Sequence, residues 1–199
     1  MIMNVRTYFL CVALVLATSY GCASFRIGHL EPPAEWPPKS AHAGKKSIAL
    51  LVSGKINING NEQVMPTAVL HKWQKRIAIA YKDSGLFSEI RFGLVEADFK
   101  ADVAILDRGE FIQAMALLSG LTLTLIPSKA YDEFVVQTTV RDREGKTVGV
   151  FEKTDGMSTW FQLFLIFAMP FNTPSSVFDE VAYDIHRAII SEAHAKGVF

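Results

Sequence analysis

The sequence predicts an α+β domain, a mainly antiparallel sheet with two long helices packed on it, in the order β-α-β-β-β-β-α. Three observations carry this. Residues 63–84 and 173–197 repeat apolar side chains at helical spacing. Residues 134–151 read as two alternating strands around the turn Asp142-Arg143-Glu144-Gly145. Short apolar runs at 47–53 and 101–107 have strand length. The chain has 199 residues, half of them hydrophobic, enough for one domain with a sizeable core. Its 20 basic and 20 acidic residues cancel, so charge supplies no reason to expect a nucleic-acid partner.

The N-terminus, MIMNVRTYFLCVALVLATSYGC, has one charge, Arg6, ahead of a 13-residue apolar stretch from Tyr8 to Tyr20. A membrane-spanning helix needs about 20 apolar residues. A basic start, a short apolar run and small residues near the end describe a secretory signal peptide over 1–21. Two cut sites fit. Gly21-Cys22 resembles the end of a bacterial lipoprotein signal, in which the cysteine takes a diacylglyceryl thioether and an N-acyl chain such as palmitate. Ser19 and Tyr20 depart from the usual pattern there. Ordinary cleavage after Ala23 is the rival, and Cys22 would then leave with the signal. Under the first reading Cys22 is the lipidation site. Ala23 in place of Asp then implies, by resemblance to Gram-negative lipoproteins, the periplasmic face of the outer membrane. Cys11 lies within the signal, so the mature chain keeps no pair of thiols for a disulfide.

Residues 22–46 hold four prolines, and read as a tether that no helix can cross. Trp36 in it serves either as a local contact with the domain or as a docking residue. The domain proper spans 47–199. Ser47–Ser53 is a short uninterrupted apolar run, as in a strand covered on both faces. Asn57–Asn61 is a turn. It resembles a calcium loop only in spacing, and asparagine lacks the carboxylates such a loop needs.

Gln63–Ser84 is the first helix. Met65, Val69, Trp73, Ile77, Ala80 and Tyr81 form one stripe, His71 belongs to the polar face, and Gly85 stops the helix. Phe87–Leu94 alternates, with Ile90, Phe92 and Leu94 on one face. Ala101–Asp107 continues as a strand, extending to Phe111. Glu96, Asp98 and Asp102 read as a solvated turn rather than an acid/base pair. In the hairpin, Gly145 takes the positive-φ position after a type I turn, so paired residues sum to 289. Thr173-Pro174 opens the last helix as N-cap and first residue. Its buried stripe is Phe178, Val181, Ala182, Ile185, Ala188 and Ile189. His186 and His194 fall about 80° apart around it and do not form a metal-ligand pair.

The unusual feature is two long uncharged segments, 111–128 and 156–178. Residues 160–171 alone hold Trp160, Phe161, Phe164, Phe167 and Phe171. The 289 rule sets Tyr131 opposite Ser158 and Ile126 near Leu163, so both segments leave the hairpin at the end opposite its polar turn. Leu118, Leu121, Leu123, Leu125, Trp160, Phe161, Phe164 and Phe167 are the candidate interaction residues of one apolar lobe. Three readings compete: an extension of the core, an exposed patch for a partner or a second copy, and shallow membrane contact. Pro127, Pro170 and Pro174 bound the segments, and neither is long enough to span a bilayer as a helix.

No Gly-x-Ser-x-Gly elbow, phosphate-binding glycine loop or His-Glu-x-x-His motif occurs. No cofactor and no metal ligand set is expected. The runs DSGLFSEI, ADVAILDRGEF and LTLTLIPSKAYDEFVVQTTVRDREGKTVGVFEK resemble uncharacterised bacterial lipoproteins. Those have a domain like the amino-terminal domain of the Tol translocation protein and the core of the curli secretion lipoprotein. The resemblance covers about residues 46–196, implies an envelope scaffold or assembly component, and transfers no active residue. The expected function is a non-enzymatic, lipid-anchored envelope protein binding a partner or itself through the lobe. A periplasmic binding module for a lipid or other apolar ligand is the alternative.

Overall fold

The computed structural model describes residues 22–28, 30–39, 46–167 and 169–199. The signal peptide read over 1–21 and part of the tether lie outside the described residues. Seven strands make one sheet: β1 (Cys22–Arg26), β2 (Lys46–Ile58), β3 (Asn61–Val64), β4 (Phe87–Phe92), β5 (Phe99–Phe111), β6 (Ser128–Asp142) and β7 (Thr147–Phe161). Their spatial order is β1-β7-β6-β5-β2-β3. β4 runs parallel to the first half of β2, on the edge that β3 covers farther along. β2 and β5 are parallel; the β1–β7, β7–β6, β6–β5 and β2–β3 pairings are antiparallel. The described helices are α1 (Thr67–Asp83), α2 (Gln113–Leu121) and α3 (Pro174–Ala195), with a 3₁₀ turn at Leu163–Phe167.

The mainly antiparallel α+β class is as the sequence predicts, but the element order is richer. β1, β3 and α2 were not expected. The first helix begins at Thr67 rather than Gln63, because Asn61–Val64 pairs with β2 as a strand and Pro66 closes the turn between them. The tether expected over 22–46 starts as the edge strand β1. The face assigned to Ile90, Phe92 and Leu94 is corrected as well. A bulge, with Lys46 opposite Phe87 and Ser47 opposite Glu89, lets Phe87 and Ile90 both pack inward. β4 ends at Phe92, which is exposed, and Leu94 follows the turn at Gly93 (φ 99°) and is 90% exposed.

The core lies between α1, α3 and one face of the sheet. Trp73 of α1 meets Phe134 of β6 at 5.3 Å and Phe178 of α3 at 5.1 Å, each edge-on. These three rings tie both helices to the sheet's centre. Thr173 caps α3 by accepting from the Ser176 amide at 3.1 Å. The whole expected α3 stripe is buried. His186, fully buried beside Trp73, is pushed down to about 3 by desolvation, so it is a neutral core residue. Trp36 makes the local contact: its indole donates to the Tyr183 hydroxyl at 3.0 Å.

The hairpin register follows the 289 rule from Ser128↔Phe161 to Val140↔Gly149. Gly145 has φ 86° and its amide donates to the Asp142 carbonyl at 3.0 Å. The ladder is longer than the sequence suggested because cross-strand pairing carries both strands past their polar residues.

Candidate functional site at the apolar end of the sheet

Four strand termini coincide. β5 ends at Phe111 opposite Ala130, β7 ends at Phe161 opposite Ser128, and β1 begins at Cys22, also opposite Phe161. The β2–β3 turn joins them, since the Asn59 amide both donates to and accepts from the Phe111 backbone, at 3.0 and 3.1 Å. That bonding gives the Asn57–Asn61 turn a structural use. Among the described residues no cluster of His, Cys, Asp and Glu has metal-binding geometry.

Beyond this end stand α2, the 122–127 turn and the 3₁₀ turn. The amide of Leu163 donates to the Thr124 carbonyl at 3.1 Å, joining the two apolar segments. The expected neighbour of Leu163 was Ile126; the contact falls two residues earlier because the chain turns back after α2. Leu123 and Thr124 take φ of 50° and 60° in that turn. A β-branched residue in this region is an outlier, so the turn is a strained one.

The eight candidate residues all gather at this end. Leu118, Leu121, Leu123 and Leu125 lie on α2 and its turn, Trp160 and Phe161 end β7, and Phe164 and Phe167 occupy the 3₁₀ turn. The core-extension reading holds only for the ends of the second segment, where Met157, Val177 and Phe178 join the core; the lobe itself is exposed. Leu121 is 75% exposed, Phe164 64%, and Phe167 and Phe171 more than 80%. The segments leave the sheet where α1 and α3 no longer cover it. Each such side chain forgoes roughly 1.5–3 kcal/mol of burial. Ile112, Met115 and Leu117 are also exposed, and were not singled out from sequence.

A cation borders the patch. The Lys129 ammonium lies 4.0 Å from the Tyr131 ring centroid and 4.6 Å from that of Trp160. Sequence reasoning missed this cluster, although the signal was there: Lys129 and Tyr131 share a strand face, and Lys129 and Trp160 sum to 289. The three residues line an open cavity of about 650 Å³ with Phe111, Met115 and Pro127.

Cys22 is joined to the domain without slack. Ser24 Oγ lies 2.7 Å from Thr159 Oγ1, and the Ser24 amide donates to the Asn172 carbonyl at 2.9 Å. Arg26 pairs with Asp155, whose side chain is inaccessible, and donates to Asp184 at 2.6 Å. Burial opposes the Arg26 charge, but these carboxylates more than offset it and raise its pKa further.

A second polar feature lies between sheet and helices. Asp107 of β5 and Asp132 of β6 border a cleft of about 460 Å³ with Lys72, Phe134, Met157 and Phe178. Burial, then the neighbouring Asp132, pushes Asp107 up to about 7; burial also raises Asp132. Asp107 Oδ1 is buried with no hydrogen-bond partner among the described residues. The pair can hold a proton near neutral pH. Lys72, Thr173 and Ser175 also line the cleft, but Thr173 is engaged as the α3 cap and neither carboxyl is hydrogen-bonded to any of the three. Sequence reasoning passed over Asp107 as the end of a strand. Asp98 belongs to a turn, as expected: it accepts from the Ser47 amide and hydroxyl at 2.9 and 2.8 Å, which lowers its pKa.

No family model and no curated protein matches the chain. Among solved structures, it is similar to a minor lipoprotein from Acinetobacter baumannii at 11% identity and TM-score 0.47, covering 77% of this chain and 94% of that one. It is similar to a DUF330 protein from Xanthomonas campestris at 12% identity and TM-score 0.44, covering 87% and 95%. It is also similar to a PelC dodecamer from Paraburkholderia phytofirmans at 10% identity and TM-score 0.37, covering 84% and 96%. At these values none of them assigns the chain to a family.

Proposed function

We propose that this chain is a lipid-anchored cell-envelope protein, acylated at Cys22, that acts by docking through its apolar end and carries no catalytic activity. The supporting observation is that Cys22 lies opposite Phe161, in the same strand-end row from which the exposed apolar segments depart. Acyl chains on Cys22 would leave the domain beside its exposed apolar end, with no tether between them. Multiple acyl chains hold a protein stably on a membrane, each buried CH₂ contributing about 0.8 kcal/mol. The outer membrane's periplasmic face is the proposed location, with Ala23 after the cysteine as its motive. The sequence resemblance to lipoproteins with Tol- and curli-type cores fits this reading.

Intact mass after expression in a Gram-negative host tests it. A triacyl-type increment, absent from a Cys22→Ala control, is expected. An unmodified chain beginning at Ser24 overturns the anchor. A second reading is a binding module for a lipid or other apolar ligand, favoured by the 650 Å³ cavity beside Lys129. Native mass spectrometry should then detect a bound lipid; protein that is repeatedly empty removes this reading.

A further inference from the structure

We infer that the apolar end is a membrane-inserting tip, with a lipid bilayer as its occupant. α2 and the side chains of Leu123, Leu125, Phe164, Phe167 and Phe171 enter one leaflet, and Lys129, Tyr131 and Trp160 stand at headgroup level. The inference deepens the proposed envelope function and rests on that location.

Three observations favour acyl chains over a protein surface. First, α2 is bare and uncharged on every side. Among its nine residues only Ser119 is buried. Met115, Leu117, Leu118 and Leu121 stand on one side of the helix, and the other side carries Gln113, Ala116 and Gly120, all exposed and none charged. A helix that docks on a protein sets its apolar stripe against a charged, solvated back face. α2 has no such face, which suits a hydrocarbon medium. At about 1.5 Å per residue, α2 is roughly 14 Å long, half the hydrocarbon thickness, so it fits one leaflet and does not cross. No helix among the described residues is long and apolar enough to cross.

Second, polarity changes where an interface would put the change. No charge occurs from Phe111 to Ser128, and the next residue is Lys129. Its ammonium lies over Tyr131 and Trp160. Aromatic rings with a polar handle beside a long cationic side chain are the residues that settle at lipid headgroups. Third, Cys22 pairs with Phe161, next to Trp160, so the proposed acyl anchor enters at the same level as this ring. Anchor and tip therefore face one surface, and the Asp142–Lys146 turn at the other end of the hairpin points away from it.

The chain's three tryptophans supply the test. Trp73 is fully buried, so the probe is Trp160 in a Trp36→Phe background. The purified full-length mature protein is mixed with phosphatidylethanolamine/phosphatidylglycerol vesicles carrying bromine at shallow or deep acyl positions. Trp160 should lose emission mainly to shallow bromines. Leu121→Trp and Phe164→Trp, both at exposed positions, should lose more to deep bromines than Trp160 does. The triple change Leu117→Ser, Leu121→Ser, Phe167→Ser should abolish the quenching of Trp160. Sedimentation with the vesicles reports the anchor separately. Protein that sediments while Trp160 and both added probes stay unquenched overturns the tip and leaves the anchor standing. Quenching in protein whose mass shows no acylation supports the tip and removes the anchor. A dimer that persists with vesicles and shields all three probes assigns the end to a second copy and overturns the tip.

Discussion

The core and the apolar end are built from the same kinds of residue and meet opposite fates. Trp73, Phe134 and Phe178 lock together at 5.1–5.8 Å. Phe164, Phe167 and Phe171 stand mostly in solvent. Composition does not separate the two groups. The difference is what lies above each: α1 and α3 cover the middle of the sheet, while its Phe111–Ser128–Phe161–Cys22 end projects past them. One aromatic cluster specifies the fold, and the other is left for something outside it.

The largest way to break this comparison is Trp73→Ala, which should cost about 3–5 kcal/mol by opening a core cavity. A denaturant midpoint that hardly moves would mean the rings are not the fold's keystone. Arg26→Ala should cost nearly as much, about 3 kcal/mol, because it leaves the inaccessible Asp155 carboxylate unpaired. It should also raise amide exchange across 22–26, showing that the junction of Cys22 with the sheet depends on this pair.

Asp107→Asn should act in the opposite direction, stabilising by roughly 2 kcal/mol above neutral pH. The folded carboxyl binds its proton up to about 7, against 3.8 ordinarily, so folding takes up a proton between these values and stability falls as pH rises through them. The variant should flatten that slope in thermal melts at pH 4 to 8. His186 works on the other side. With a folded value near 3 against 6.5, its contribution is complete above 6.5 and is lost as pH falls toward 3. Acid melts should show that loss, and its absence in His186→Phe would assign it. Thr173→Ala should cost about 1 kcal/mol through the lost α3 cap. The smallest effect belongs to Phe164→Ser with Phe167→Ser: within about 0.5 kcal/mol in stability. A large loss of stability there would make this end a core after all.

The lesson for reading such a chain lies in particular residues. The turn Asp142–Gly145 was legible because its conformation needs a residue at positive φ, and from it the whole β6–β7 register followed. That register brought the two uncharged segments together and set Lys129 opposite Trp160. The amphipathic stripe of α3 and its Thr173 cap were equally plain. β1 was not, because Cys22–Arg26 becomes a strand only through partners about 135 residues away, such as Thr159 for Ser24. Proline-rich neighbours made the stretch read as tether. Likewise α2 looked like any apolar run, and Asp107 like any strand end.

The sequence by itself determined the elements whose physics is local: turn chemistry, capping, helical periodicity, and the absence of charge over 111–128 and 156–178. Only the tertiary structure decided which apolar residues are covered. Burial depends on the packing of distant elements, and no local pattern records where α1 and α3 stop short of the sheet's end. It also decided that Cys22 stands in that end row, held there by Ser24 and Arg26.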